Sequence, residues 1–219
     1  TGHTHHSVSK SARLAGIRSD QIVKVPVDEN RRLDTVALRE MIAADRAAGD
    51  RPFLIVASAG TTDTGSVDDL HAVADVAAEE EVWLHVDGAY GGFFILTDRG
   101  KKRLDGIHRA DSIAVDPHKG LSLPFGVGTL LVKEESALVD AHLGRGAYLR
   151  DEDQYMGIRD IASLGPELSR PFRGLSVWLP LQLHGVAPFR DALDRSLDLA
   201  EHAYQRLAGM PRIEKVLYP

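Results

Sequence analysis

The sequence predicts a layered α/β fold with a mainly parallel sheet flanked by helices. Three observations carry the prediction. Short apolar runs of strand character alternate with segments whose apolar residues recur at helical spacing. The connections between them are short, as in βαβ units. The run PFLIVASAG at 52–60 is almost wholly apolar, which suits a strand of a parallel sheet covered on both faces.

The elements follow in order. Residues 7–15 have helical spacing and a Gly16 stop. Residues 22–27 predict a short strand. Residues 34–48 predict a helix: Asp34 can cap it, and Val36, Leu38, Met41 and Ile42 share one side. After the 52–60 strand, residues 68–81 predict a helix, with Leu70, Val73, Ala74 and Ala77 at helical spacing. The run 82–87 is a strand ending in an acid, a helix is expected near 101–104, and 111–116 and 128–133 are further strands. Residues 148–160 are polar and lack periodicity, which predicts a loop. From Pro166 the chain reads as helical through Leu207, with interruptions at Pro180 and Pro188. The expected organisation is a large α/β domain over 1–143, a loop over 144–165, and a helical segment over 166–219 that starts a small C-terminal domain.

Composition narrows the function. The 219 residues contain no cysteine, which excludes disulfides, a thiolate nucleophile and thiolate metal sites. A net charge of -6 gives no general attraction to nucleic acid or to an anionic membrane. No apolar run approaches the roughly 18–20 residues of a membrane helix. A cytoplasmic enzyme fits this composition. The chain opens on Thr1 rather than Met, and 216–219 resemble an interrupted strand, so an internal piece of a longer protein is expected.

In a parallel sheet, ligands gather outside the carboxyl ends of the strands. The residues just past those ends are Gly60-Thr61-Thr62, Asp87-Gly88-Ala89-Tyr90 and Asp116-Pro117-His118-Lys119. Thr62 and Asp87 are 25 positions apart, and Asp87 and Lys119 are 32 apart. Each gap accommodates a crossover unit of roughly 30 residues. Thr62, Asp87 and Lys119 are therefore expected on one rim. A lysine and an acid so placed suit pyridoxal 5′-phosphate (PLP). The cofactor needs an amine for its aldehyde and a carboxylate to keep its pyridine nitrogen protonated. A poorly solvated lysine would be the better nucleophile. A structural ion pair is the competing reading of the same two residues. A metal hydrolase built on His85, Asp87 and His118 is another, because residues 85 and 87 share a strand face. That reading leaves Lys119 unexplained.

Four strings in collinear order discriminate further. They are THHSVSKSARLAGI at 4–17, HVDGAYGGFF at 85–94, SIAVDPHKGLSLPFGVGTLLVK at 112–133 and ELSRPFRGLSVWLPLQLHG at 167–185. Together the chain resembles the PLP-dependent group II amino-acid decarboxylases, the family of aromatic L-amino-acid decarboxylase, over nearly its whole length. The resemblance implies the PLP-dependent transferase fold of type I. It places the cofactor lysine on Lys119 and the pyridine-nitrogen acid on Asp87. The ring-stacking histidine falls on His5, in an H-x-S-x-x-K pattern with Ser7 and Lys10. Ala89 is the small residue on the opposite ring face, and Thr62 is a hydroxyl near the ring, with turn capping as its alternative role. His118 would contact the cofactor phosphate or the substrate carboxylate. Tyr148 would return a proton to carbon after carbon dioxide leaves, with Tyr155 as a competitor. Arg170 and Arg173 match the family string R-x-F-R and are expected to pair with carboxylates. Asp116 departs from the Asn of the animal enzymes, and an acid there needs a compensating donor.

The implied activity is decarboxylation of an L-amino acid to its amine. The alternatives are oxidative deamination to an aldehyde, transamination or carbon–carbon lyase chemistry on the same scaffold, and an inactive fragment without its phosphate-binding segment. The implied assembly is a homodimer of the full-length protein.

Overall fold

Four strands meet in one sheet in the computed structural model of the chain, which describes residues 1–142, 161–214, 216 and 218. They are β1 (Leu54–Ser58), β2 (Trp83–Asp87), β3 (Ser112–Val115) and β4 (Thr129–Val132), in that order across the sheet. The first three run parallel. β4 pairs with β3 antiparallel, because the connection over 116–128 turns back at the rim instead of crossing to the far end. The register aligns Ser58 with Asp87 and Asp87 with Ala114, so the carboxyl ends of three strands lie level.

Helices α1 (His6–Leu14), α2 (Thr35–Ala47) and α3 (Leu70–Glu79) form where the apolar spacing places them. The N-terminus of α2 is capped as its sequence predicts: the Asp34 carboxylate accepts the N–H of Val36 at 2.9 Å and of Ala37 at 3.1 Å. Asp69 caps α3 by accepting the N–H of Ala72 at 3.0 Å. Leu38 and Ile42 of α2 and Leu70, Val73, Ala74, Val76 and Ala77 of α3 pack on Ile55, Ala57, Leu84 and Val86 of the sheet. Each fully buried Val or Leu here stabilises the fold by about 1.5–3 kcal/mol. Val36, expected on the same side, is exposed instead. It sits in the first turn of α2, beyond the edge of the core stripe.

A buried acid ties this core together. Asp68, 4% exposed, accepts the N–H of Leu33 and the N–H of Ser58, each at 2.7 Å. Burial pushes its carboxyl above the ordinary range, against the pull of those two N–H groups.

The remaining helices are α4 (Asp98–Arg103), α5 (Pro117–Gly120), α6 (Glu135–His142), α7 (Leu175–His184) and α8 (Ala187–Ala208). Pro180 lies inside α7, and the break falls at Gly185, whose φ is 71°. Pro188 occupies the first turn of α8, where the missing N–H has no helical partner to lose. Leu193 of α8 is buried with Leu121 and Leu123 against Phe93, Phe94 and Phe189. Arg99 bridges to Asp194 at 3.1 Å and to Asp198 at 2.8 Å across the same contact.

Two strand expectations are corrected. Residues 22–27 form no strand: Val27 makes one isolated bridge to Leu33, and no neighbouring strand pairs with the rest. The second face of β1 is only partly covered among the described residues, from exposed Leu54 to buried Ser58. Leu54, Trp83 and Leu130 share that face and are 42%, 37% and 53% exposed. Among the described residues no helix is long and apolar enough to cross a membrane.

Candidate active site

The rim at the carboxyl ends of β1, β2 and β3 collects most of the residues singled out in the sequence. Glycines let the loops close on one another there. Gly60 follows β1 with φ at 95°, a left-handed conformation that favours glycine. Gly91 packs directly on the Ala59 carbonyl, so that a Cβ at 91 would collide with its oxygen. These contacts draw the turn after β1 against the turn after β2.

Asp87 ends β2 half-buried. Its Oδ1 accepts the N–H of Ala89 at 3.1 Å, so Ala89 orients the carboxylate through its backbone. That role leaves no trace in spacing or residue type. The Asp87 carbonyl accepts the N–H of Ala59 at 2.8 Å, which carries the β1–β2 pairing past the strand ends.

Pro117 starts α5 immediately after β3, and its fixed φ suits the first helical position. The four-residue helix places Lys119 one turn from Asp116. Lys119 Nζ lies 2.7 Å from Asp116 Oδ2. Its side chain is 40% exposed, so the expected poorly solvated amine is not what the described residues form. The cause is local: α5 projects the stem outward along the rim, where Asp116 holds its end. Asp116 thus has the compensating donor its position calls for, with His118 Nε2 a further 3.9 Å away. His118 Nδ1 donates to the Val127 carbonyl at 3.2 Å, and its ring meets Phe125 edge-on at 5.1 Å.

The remaining candidate residues fall unevenly. Thr62 is on the turn after β1 but is exposed, and it makes no side-chain hydrogen bond among the described residues. The turn is bound instead by buried Thr61, whose hydroxyl lies 2.7 Å from Thr64 Oγ1 and 3.1 Å from Ser66 Oγ. His5 is the N-cap of α1, with Nδ1 2.7 Å from Ser7 Oγ and its ring beside His6. No hydrogen bond or ring contact joins His5 to Asp87 or Lys119 among the described residues. Tyr148 and Tyr155 lie outside the described residues. Arg173 makes the expected carboxylate pair, a two-point contact with Glu167 at 2.5 and 3.0 Å. Arg170 departs from that expectation and donates to the Ile161 carbonyl.

The strand face that carries Asp87 also carries Trp83 and His85. His85 Nδ1 lies 2.8 Å from Ser112 Oγ on β3, and Trp83 Nε1 donates to the same oxygen at 2.9 Å. Burial pushes His85 below its ordinary value of 6.5, and the nearby Asp87 charge opposes the shift. With Nδ1 engaged by serine, His85 is no metal ligand through that atom. Among the described residues no three His, Asp or Glu side chains are grouped as a metal ion would require.

Comparison with known proteins shows the family. The family model described as the pyridoxal-dependent decarboxylase conserved domain matches residues 1–217. The chain is 42% identical over 199 residues to an aromatic-L-amino-acid decarboxylase of Bacillus atrophaeus, covering 90% of this chain and 42% of that protein. It is 32% identical to the human cysteine sulfinic acid decarboxylase over 217 residues, 98% of this chain and 44% of that one. The crystal structure of Oryza sativa TDC with PLP and tryptamine superposes with a TM-score of 0.90 at 32% identity, over 98% of this chain and 44% of that chain. The chain therefore spans less than half the length of the proteins it matches.

Proposed function

The chain belongs to the pyridoxal-dependent decarboxylase family, and from that membership we propose that the whole protein removes carbon dioxide from an L-amino acid, with pyridoxal 5′-phosphate held at Lys119. One observation carries the proposal. Among the described residues an amine, Lys119, follows β3, and a backbone-oriented carboxylate, Asp87, ends the neighbouring parallel strand β2. This donor set fits the group: it offers an amine for an aldehyde and a carboxylate for a protonated pyridine nitrogen. When bound, the cofactor supplies a ring that accepts the electron pair left on carbon as carbon dioxide departs.

The chain's own residues do the rest. Lys119 would hold the cofactor through its amine, which is the group an aldehyde requires. Asp87, one of whose oxygens accepts the Ala89 N–H, would hold the protonated ring nitrogen with its carboxylate. By the resemblance, His5 and Ala89 would flank the cofactor ring, and Thr62 would offer a hydroxyl from the turn after β1. With its Nδ1–H donated to the Val127 carbonyl, His118 would meet a phosphate or carboxylate through Nε2 only as the protonated ring. Tyr148 returns the proton to carbon. Residues 1–143 serve as part of the cofactor-binding domain, 144–165 as the loop that carries Tyr148, and 166–219 as the lead into a smaller C-terminal domain. We assign the full-length protein as a cytoplasmic homodimer with no nucleic-acid partner. Support comes from the resemblance, and from the net charge of -6.

The test uses the full-length protein with added PLP, beside Lys119→Ala. A visible absorbance band in the parent and none in the variant is the expected result. Carbon dioxide release is then screened across aromatic and acidic amino acids. A band that survives in Lys119→Ala, or aldehyde and hydrogen peroxide in place of amine, would overturn the reading.

A further inference from the structure

We propose that His118 is the proton acceptor for Lys119: its Nε2 takes the proton that the lysine ammonium must lose before the amine can attack an aldehyde. The proposal rests on the reading of Lys119 above as the cofactor lysine.

The need comes from the setting of the lysine. An ammonium has no electron pair to offer a carbonyl carbon. A lysine desolvated in an apolar pocket is activated by that pocket. Lys119 is 40% exposed, and its Nζ lies 2.7 Å from Asp116 Oδ2, so it needs a base instead.

Donor chemistry identifies that base. A carbonyl oxygen can only accept, so the His118 Nδ1 that lies 3.2 Å from the Val127 carbonyl carries a hydrogen. That bond sets the tautomer, and in the neutral ring Nε2 is left with its lone pair. Nε2 lies 3.9 Å from Asp116 Oδ2, the same oxygen that holds Lys119 Nζ. One carboxylate oxygen at the start of α5 thus gathers an acid and a base. The His118 side chain is mostly buried and its ring meets Phe125 edge-on, so the imidazole is held in place. Among the described residues no other ionisable side chain pairs with His118, Asp116 or Lys119. The segments packed on α5 present Phe93, Phe125 and Val127, which do not titrate.

The transfer is balanced. The lysine stem is flexible, and when its end leaves Asp116 one proton passes from Nζ to Nε2. The ammonium becomes an amine with a free electron pair, and the neutral imidazole becomes an imidazolium. Asp116 stays negative and faces the new cation, so the total charge of the three groups is unchanged. The imidazolium is also the form in which Nε2 can donate to a phosphate or a carboxylate.

The test uses the full-length protein freed of cofactor, with growth of the visible band on PLP addition followed by stopped flow. His118→Ala is expected to slow capture about a hundredfold, as loss of a general base does. Added imidazole is expected to restore the rate in proportion to its concentration. His118→Gln separates a base from a brace. It keeps an N–H donor for the Val127 carbonyl but takes up no proton, so it is expected to stay slow. Capture at the parent rate in either variant, or a slow His118→Ala that imidazole does not restore, overturns the proposal. Nitrogen-15 NMR of labelled histidine, with His118→Gln identifying the signal, is expected to show Nδ1–H in the neutral ring. An Nε2–H tautomer overturns the proposal whether or not Lys119 holds PLP. A band that persists in Lys119→Ala overturns the cofactor reading, and this proposal with it, by a result that no His118 variant gives.

Discussion

Lys119 Nζ lies 2.7 Å from the Oδ2 of Asp116, the residue that precedes its own short helix. The pair forms because three residues of helix bring the two side chains to one side. It must break before the amine can attack an aldehyde. The ion pair is solvent-accessible, and such pairs contribute roughly 0–1 kcal/mol. Asp116→Asn is therefore expected to leave stability within about 1 kcal/mol and to speed PLP capture. Stopped-flow growth of the visible band measures this. Slower capture would mean that Asp116 guides the lysine instead of restraining it.

Asp68 links β1 to the segment before α2 with both of its oxygens. Asp68→Asn turns one acceptor into a donor that faces a backbone N–H. The expected loss is about 1–3 kcal/mol, read from urea unfolding. A neutral result would show that the loop over 59–68 rearranges at little cost.

The pH dependence of stability follows from His85. Its folded value is depressed below 6.5 by burial, so the unfolded chain binds the proton first. The stabilisation is complete above pH 6.5 and is lost as pH falls through the depressed value. The slope reaches at most about 1.4 kcal/mol per pH unit. Urea midpoints between pH 5 and 7.5 should show this slope in the parent and a flatter one in His85→Gln. Equal slopes in both would place the titration elsewhere.

Gly91 allows the turn after β2 to touch the Ala59 carbonyl. Its own φ of -85° is open to any residue, so the obstacle to a side chain is contact and not backbone conformation. Gly91→Ala is expected to cost about 1–3 kcal/mol, as overpacking does. Because the two turns carry Thr62 and Ala89, PLP affinity should fall with it. Thermal unfolding and titration with PLP measure the two effects.

Much of this architecture is local and was legible in the sequence. Asp34 caps α2 because its carboxylate meets N–H groups two and three residues on, and the inward positions of α3 recur at helical spacing. Asp87 and Lys119 were placed at strand ends because alternating strand and helix segments imply a parallel sheet. Tertiary structure decided what depends on partners far along the chain. Residues 22–27 have strand character but, among the described residues, make only the isolated bridge of Val27 to Leu33. β4 runs antiparallel because of the path of 116–128 at the rim. Lys119 is paired and exposed because α5 points it outward to Asp116. The hydrogen bonds of Ser112 with Trp83 and His85 join residues 29 and 27 positions apart. Spacing alone does not reveal them, because the register of β2 against β3 sets which side chains meet. Propensity and capping act within a few residues, whereas register is settled by the packing of whole strands and helices.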